Sequence, residues 1–318
     1  MRSFEKFDYT LRPAKNVERK MICEAFARLS GIAPLAEYQY VGFGAIAFAD
    51  FVLIHQRLGI SDMVSIERAG REAQRRVTFN KPYSCIRTKW GTATEILPTL
   101  PWTKRAMVWL DYDEQLNSSA LADISTVVAS LRSGSGIIVT VDVKDRVKRG
   151  SDMAQLRMKA LRRRVGEDRI PVGTTGTGLA GWGLAAVCRD IIYNQVAETL
   201  ANRNAPLPKK EAVRYSQRFN FHYADKAPML TVGGYFANAE DRKRVPPSDF
   251  KDLDFIRGGK GHYLIEVPVL TRREAAYLNK LLPGSAPSVR HPKWLPGRDR
   301  KNYGKVYRHY PTYLEAEL

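Results

Sequence analysis

The chain has 318 residues, 44% of them hydrophobic and 26% charged, with a formal net charge of +18. Length and composition suit one large domain with additions, or two modest ones, and exclude a disordered chain or a peptide-sized module. The opening MRSFEKFDYTLRP has no apolar core of signal-peptide length and no apolar run approaches a membrane span, so a cytoplasmic protein is expected.

The basic excess is uneven. Residues 1–143 carry 18 Lys/Arg against 15 Asp/Glu, residues 144–218 carry 16 against 7, and residues 241–318 carry 16 against 9. Two segments outside the first half therefore attract phosphates, as a nucleic acid or a phosphorylated substrate, or simply face water. Cys23, Cys85 and Cys188 are far apart, and five scattered histidines give no zinc spacing.

In chain order, NVERKMICEAFARLS has Val17, Met21, Ile22, Ala25, Phe26 and Leu29 at helical spacing, with Asn16 as the expected N-cap. AEYQYVGFG reads as a first strand running into a glycine turn. AFADFVLIHQRLG is then a buried helix ending at Gly59, and MVSIE a second strand. The alternation continues with a polar helix REAQRRVTFN, a strand YSCIRTKWG, a helical turn ATEILPTL and a fourth strand RAMVWLDYD. SSALADISTVVASLRSG is a helix capped by Ser118 or Ser119 and closed by Gly134, and SGIIVTVDV a fifth strand. Short connections between alternating strands and helices imply a parallel sheet covered on both faces.

Past residue 143 the pattern changes. A basic helix MAQLRMKALRRRV precedes the Gly/Thr-rich GTTGTGLAGWG, which reads as a lid over the site or as a plain linker, because it lacks the GK[ST] ending of a phosphate loop. A long amphipathic helix follows, then VRYSQRFNFHYAD and APMLTVGGYFAN as an antiparallel pair. From about residue 240 the chain is irregular, apart from a helix capped by Thr271 with Glu274 completing a capping box. The tail interleaves Trp294, Tyr303, Tyr307, Tyr310 and Tyr313 with basic residues including Arg290, Lys293, Arg298 and Arg308. Its tyrosines either stack on bases or strap onto the body of the protein.

Gly42-Phe43-Gly44 after the first strand, Glu67 closing the second, Asp111 closing the fourth, and the late hairpin together resemble the class I S-adenosylmethionine-dependent methyltransferases, over roughly residues 36–237. The resemblance implies an α/β Rossmann-like sheet, mostly parallel, with a basic insertion and a C-terminal extension. It implies three parts: an N-terminal helical segment (1–35), a methyltransferase-like domain (36–240, with the insertion at about 144–212) and a basic extension (241–318). It places S-adenosylmethionine against Tyr40, Gly42, Phe43, Gly44, Glu67, Arg68, Gly91, Thr92, Ala93 and Asp111. Glu67 lies 23 positions after Gly44, where an acid accepts from both ribose hydroxyls. At Thr92 the family often carries an acid touching the adenine amine.

Asp111-Tyr112-Asp113 contains no proline, unlike the tetrapeptide of amine-directed DNA methyltransferases, and resembles the strand-end acids of cation-dependent O-methyltransferases. That likeness implies Asp111, Asp113 and Asp142 as catalytic residues, and Asp111 with Asp142 as ligands of an Mg²⁺ ion, since adjacent strand ends lie about 4.8 Å apart. Val143 stands where that family commonly offers an amide ligand. The expected function is methyl transfer, more to oxygen than nitrogen, on a nucleic-acid or other anionic acceptor bound through 144–218 and 286–310. The alternative is a methyltransferase-fold protein that binds nucleic acid or a nucleotide without chemistry.

Overall fold

The computed structural model describes residues 12–147, 150, 152–283 and 295–311. Eight strands form one sheet: β1 (Gln39–Gly42), β2 (Asp62–Glu67), β3 (Ile86–Trp90), β4 (Ala106–Gln115), β5 (Gly136–Asp142), β6 (Arg214–Ala224), β7 (Pro228–Ala237) and β8 (Tyr263–Ile265). Their order is β3-β2-β1-β4-β5-β7-β6-β8. The first five pair in parallel, β7 is antiparallel to both β5 and β6, and β8 adds a parallel edge beside β6. This is the mostly parallel sheet with a late antiparallel hairpin that the sequence predicts. Because β1 lies between β2 and β4, the order reverses there, and the crevice beyond the carboxyl ends of β1 and β4 is where such sheets bind ligands.

Ten helices are described: α1 (Pro13–Ala27), α2 (Ala49–Leu58), α3 (Arg71–Phe79), α4 (Ala93–Ile96), α5 (Ser118–Ser130), α6 (Met153–Val165), α7 (Gly183–Asn204), α8 (Ala239–Arg244), α9 (Arg272–Asn279) and α10 (Gly297–Val306). One face of the sheet packs Tyr40, Trp109 and Phe221 against α1 and α2, through Val17, Met21, Phe26 and Phe51. The other packs Val41, Val108 and Val139 against α5, α6 and α7, through Leu121, Ile124, Leu161 and Ile192. Phe250, Leu253 and Phe255 from beyond residue 240 join the α1 side, so the N-terminal helix and part of the C-terminal extension share the main core.

Two caps differ from expectation. Helix α1 starts at Pro13, ahead of Asn16, and its first amides are met from across the molecule: Ala14 N and Lys15 N donate to Asp225 Oδ1 and Oδ2 at 2.9 and 3.1 Å. Helix α5 is capped by Asn117, which accepts from Ala120 N at 2.9 Å, one residue ahead of the expected serines.

In the tail, Trp294, Tyr313, Arg290 and Lys293 lie outside the described residues. Tyr303 is buried and donates to Asn279 Oδ1 at 2.9 Å, and Tyr310 donates to Pro268 O at 2.8 Å. Arg308 pairs with Glu24 of α1 at 2.6 Å, and Lys20 donates to the carbonyls of His309 and Tyr310. The described part of the tail is a strap whose tyrosines face protein. Among the described residues no helix is long and apolar enough to cross a membrane.

Candidate active site

At the carboxyl ends of β1, β2 and β4 lies a cavity of about 360 Å³. Phe43, Gly44, Glu67, Arg68, Gly91, Thr92, Ala93, Asp111 and Asp113, predicted from the sequence, all line it. Tyr40, Gly42 and Asp142 do not.

The turn after β1 is held from β2. Glu67 Oε1 accepts from Gly44 N at 2.7 Å, Ala45 N at 3.1 Å and Ser65 Oγ at 2.6 Å. Burial pushes the Glu67 carboxyl up to about 7, although the Ser65, Gly44 and Ala45 bonds pull the other way. A buried carboxylate in that state gains from further donors. Gly44 is needed for close approach rather than for positive φ, because a Cβ there would lie 2.5 Å from the Phe48 ring and 2.7 Å from Ser65 Oγ. The positive φ values fall instead on Ala45 (47°) and Phe48 (49°), sparsely populated conformations that cost on the order of 1–3 kcal/mol each and that the surrounding contacts impose.

Tyr40 is fully buried on the α1 side, with its ring edge-on to Phe51 at 4.8 Å. Its hydroxyl fills the space over Gly42, where a Cβ would stand 2.7 Å from it. Strand alternation points Tyr40 into the core, away from the cavity. Thr92 lines the cavity, but its hydroxyl caps α4: it accepts from Glu95 N at 3.2 Å while Thr92 N donates to Glu95 Oε2 at 2.8 Å.

Strand β4 carries the acids. The ladder with β5 runs in register to Asp111 beside Thr140, then jumps to Gln115 beside Asp142. This bulge takes Tyr112, Asp113 and Glu114 off the ladder and turns them to the cavity, with Asp113 exposed at its mouth. Tyr112 donates to Asp123 Oδ2 at 2.8 Å and meets Phe43 edge-on at 5.5 Å.

The same register corrects the expected metal pair. Asp142 lies two residues beyond the partner of Asp111, an offset of roughly 6–7 Å along the strand. Its carboxylate takes the Lys144 amide at 2.6 Å and the Arg146 guanidinium. Asp111 is ion-paired to Lys15 Nζ at 2.9 Å. Among the described residues no group of three or more His, Cys, Asp or Glu side chains is placed to hold a metal, so this donor set does not fit Mg²⁺.

Charges from α1 and α2 without a motif of their own lie in the wall or behind it. Lys15 and Glu18 are fully buried and 2.9 Å apart, and Lys15 Nζ stands 4.5 Å over the Trp109 ring. Burial alone would lower the Lys15 ammonium, but Asp111 and Glu18 outweigh it and hold it above the usual lysine range. Arg19 pairs with Asp50 of α2, and both line the cavity. The signal was present in the sequence: the stripe of Ile22 and Phe26, continued towards the N-terminus at steps of three and four, falls on Lys15, Glu18 and Arg19.

The profile of a family described as "Putative O-methyltransferase" matches residues 7–318. The chain belongs to that O-methyltransferase family. No curated protein sequence matches it. Solved structures similar to this family member include Trm1 from Pyrococcus horikoshii with S-adenosyl-L-methionine (10% identity, 72% of this chain and 56% of that one, TM-score 0.40). They also include the N-methyltransferase NodS from Bradyrhizobium japonicum WM9 (11%, 70% and 97%, TM-score 0.38). A third is LepI with SAM (10%, 63% and 43%, TM-score 0.33). The chain thus spans less than two thirds of LepI and of Trm1. Its class I methyltransferase architecture rests on the strand order and the family profile.

Proposed function

We propose that this chain transfers a methyl group from S-adenosylmethionine to a hydroxyl oxygen. The observation that carries the reading is Glu67: a carboxylate with low exposure at the end of β2, steadied through one oxygen by the Gly44 turn, on the wall of a nucleoside-sized cavity. Such an acid accepts from both hydroxyls of a ribose. When bound, S-adenosylmethionine supplies a methyl on a sulfonium; the O–CH₃ bond forms as the S–CH₃ bond breaks, and the electron pair stays on sulfur.

The residues of this chain divide the remaining work. Phe43 and Tyr112 form an apolar wall, Asp111 balances positive charge beside the Lys15 ion pair, and Asp113 at the mouth takes the proton from the acceptor hydroxyl. The absence of proline in Asp111-Tyr112-Asp113 and the family description support oxygen over nitrogen. Calorimetric titration tests the reading: one saturable S-adenosylmethionine site is expected in the wild type and its loss in Glu67→Ala. No heat at millimolar cofactor would overturn it.

A further inference from the structure

A second cavity, of about 480 Å³, lies between the chain after β5, helix α6 and the Gly/Thr-rich loop. Five cations line it, Arg146, Arg157, Lys159, Arg163 and Arg164, against one carboxylate, Asp145. Two of the five are spoken for: Arg146 by Asp142, and Arg157 by Asp145 at 2.7 Å. Lys159, Arg163 and Arg164 have no carboxylate partner among the described residues. Arg164 gives Nη1 to Gln115 Oε1 at 2.8 Å, while its Nε is buried without a hydrogen bond. A guanidinium group with no carboxylate partner and a buried free donor is costly unless an anion meets it.

The loop expected as a lid or linker builds this cavity and contributes nothing to the first. Gly176 lies so close to α6 that a Cβ would stand 1.9 Å from Ala154 O, and Leu179 is buried against Leu184 on the cavity wall. The two cavities are lined by consecutive residues of β4, Glu114 in the first and Gln115 in the second.

We propose that the second cavity holds the phosphate of a small phosphorylated acceptor, bound by Lys159, Arg163 and Arg164, with its hydroxyl reaching over Glu114 to the first cavity. The acceptor assignment rests on the methyl-transfer reading; the phosphate site does not. A compact concave site suits a small ligand better than a polymer, because its free cations are gathered beside an apolar wall of Leu156, Leu179 and Leu184 instead of following a groove.

The test is titration at low ionic strength with inorganic phosphate, glycerol phosphate and a single-stranded oligonucleotide. It uses the wild type, Lys159→Ala/Arg163→Ala, and the exposed control pair Lys209→Ala/Lys210→Ala. One site shared by phosphate and glycerol phosphate is expected, weakened roughly tenfold or more in the first variant and unchanged in the control. S-adenosylmethionine affinity should be the same in all three proteins. Absence of saturable phosphate binding, equal weakening by the control pair, or oligonucleotide binding that phosphate does not displace would overturn the proposal. Phosphate binding without S-adenosylmethionine binding would keep the pocket and remove its assignment to a methyl acceptor.

Discussion

Lys15 Nζ sits 2.9 Å from Asp111 Oδ2, joining α1 to β4 at the point where its ladder with β5 breaks, beneath the candidate active site. Lys15 is fully buried, and Glu18 is as close to it as Asp111. Removing one partner of such a cluster leaves the others uncompensated away from water. Lys15→Met is therefore expected to destabilise the fold by about 3–5 kcal/mol in urea unfolding, with a substantial part regained in Lys15→Met/Asp111→Asn. Equal stability of Lys15→Met and wild type would show that the pair contributes nothing.

Glu67 gives a pH dependence of both stability and binding. Its carboxyl is pushed up to about 7 by burial, so the folded protein holds that proton more tightly than the unfolded chain does. The resulting stabilisation is present below the unfolded glutamate range and is lost as pH rises through about 7. Glu67→Gln should accordingly gain stability over wild type at pH 8 relative to pH 5, by about 3 kcal/mol at most. Cofactor affinity should move the opposite way in the wild type, rising between pH 6 and 8 as the carboxylate forms, and should be weak and flat in Glu67→Gln. Calorimetry and denaturation across that range measure both.

Thr92 and Glu95 form a reciprocal capping box at α4. Thr92→Val should cost about 1 kcal/mol in stability and Thr92→Ser very little, because only the hydroxyl is needed for the cap. Loss of stability in Thr92→Ser with none in Thr92→Val would point to the methyl group instead.

Asp225 caps α1 from the far end of β6 through two backbone amides. Asp225→Ala should destabilise by roughly 1–2 kcal/mol, and Asp225→Asn by less, measured by chemical denaturation.

Much of this molecule was legible in its sequence, for physical reasons. Strand and helix periodicities alternate cleanly from Gln39 to Asp142, and Glu67 and Asp111 declare themselves as acids ending apolar runs. The capping box at Thr92 is also written there, as TATE. What stayed hidden depends on relations across the chain. Asp225 lies 211 residues from the amide of Ala14 that it caps, and the bulge that separates Asp142 from Asp111 arises only when β4 and β5 pair. Lys15, Glu18 and Arg19 continue the buried stripe of α1, but the partners they meet there, Asp111 and Trp109, are set only when the sheet forms.

Glu67 and the Gly44 turn are proposed to hold the nucleoside end of S-adenosylmethionine, with its sulfur towards Asp111. A crystal structure with S-adenosylhomocysteine tests this most directly. Ribose hydroxyls on the Glu67 carboxylate and the sulfur beside Asp111 are expected; a ribose bound elsewhere, with Glu67 untouched, would rule this placement out.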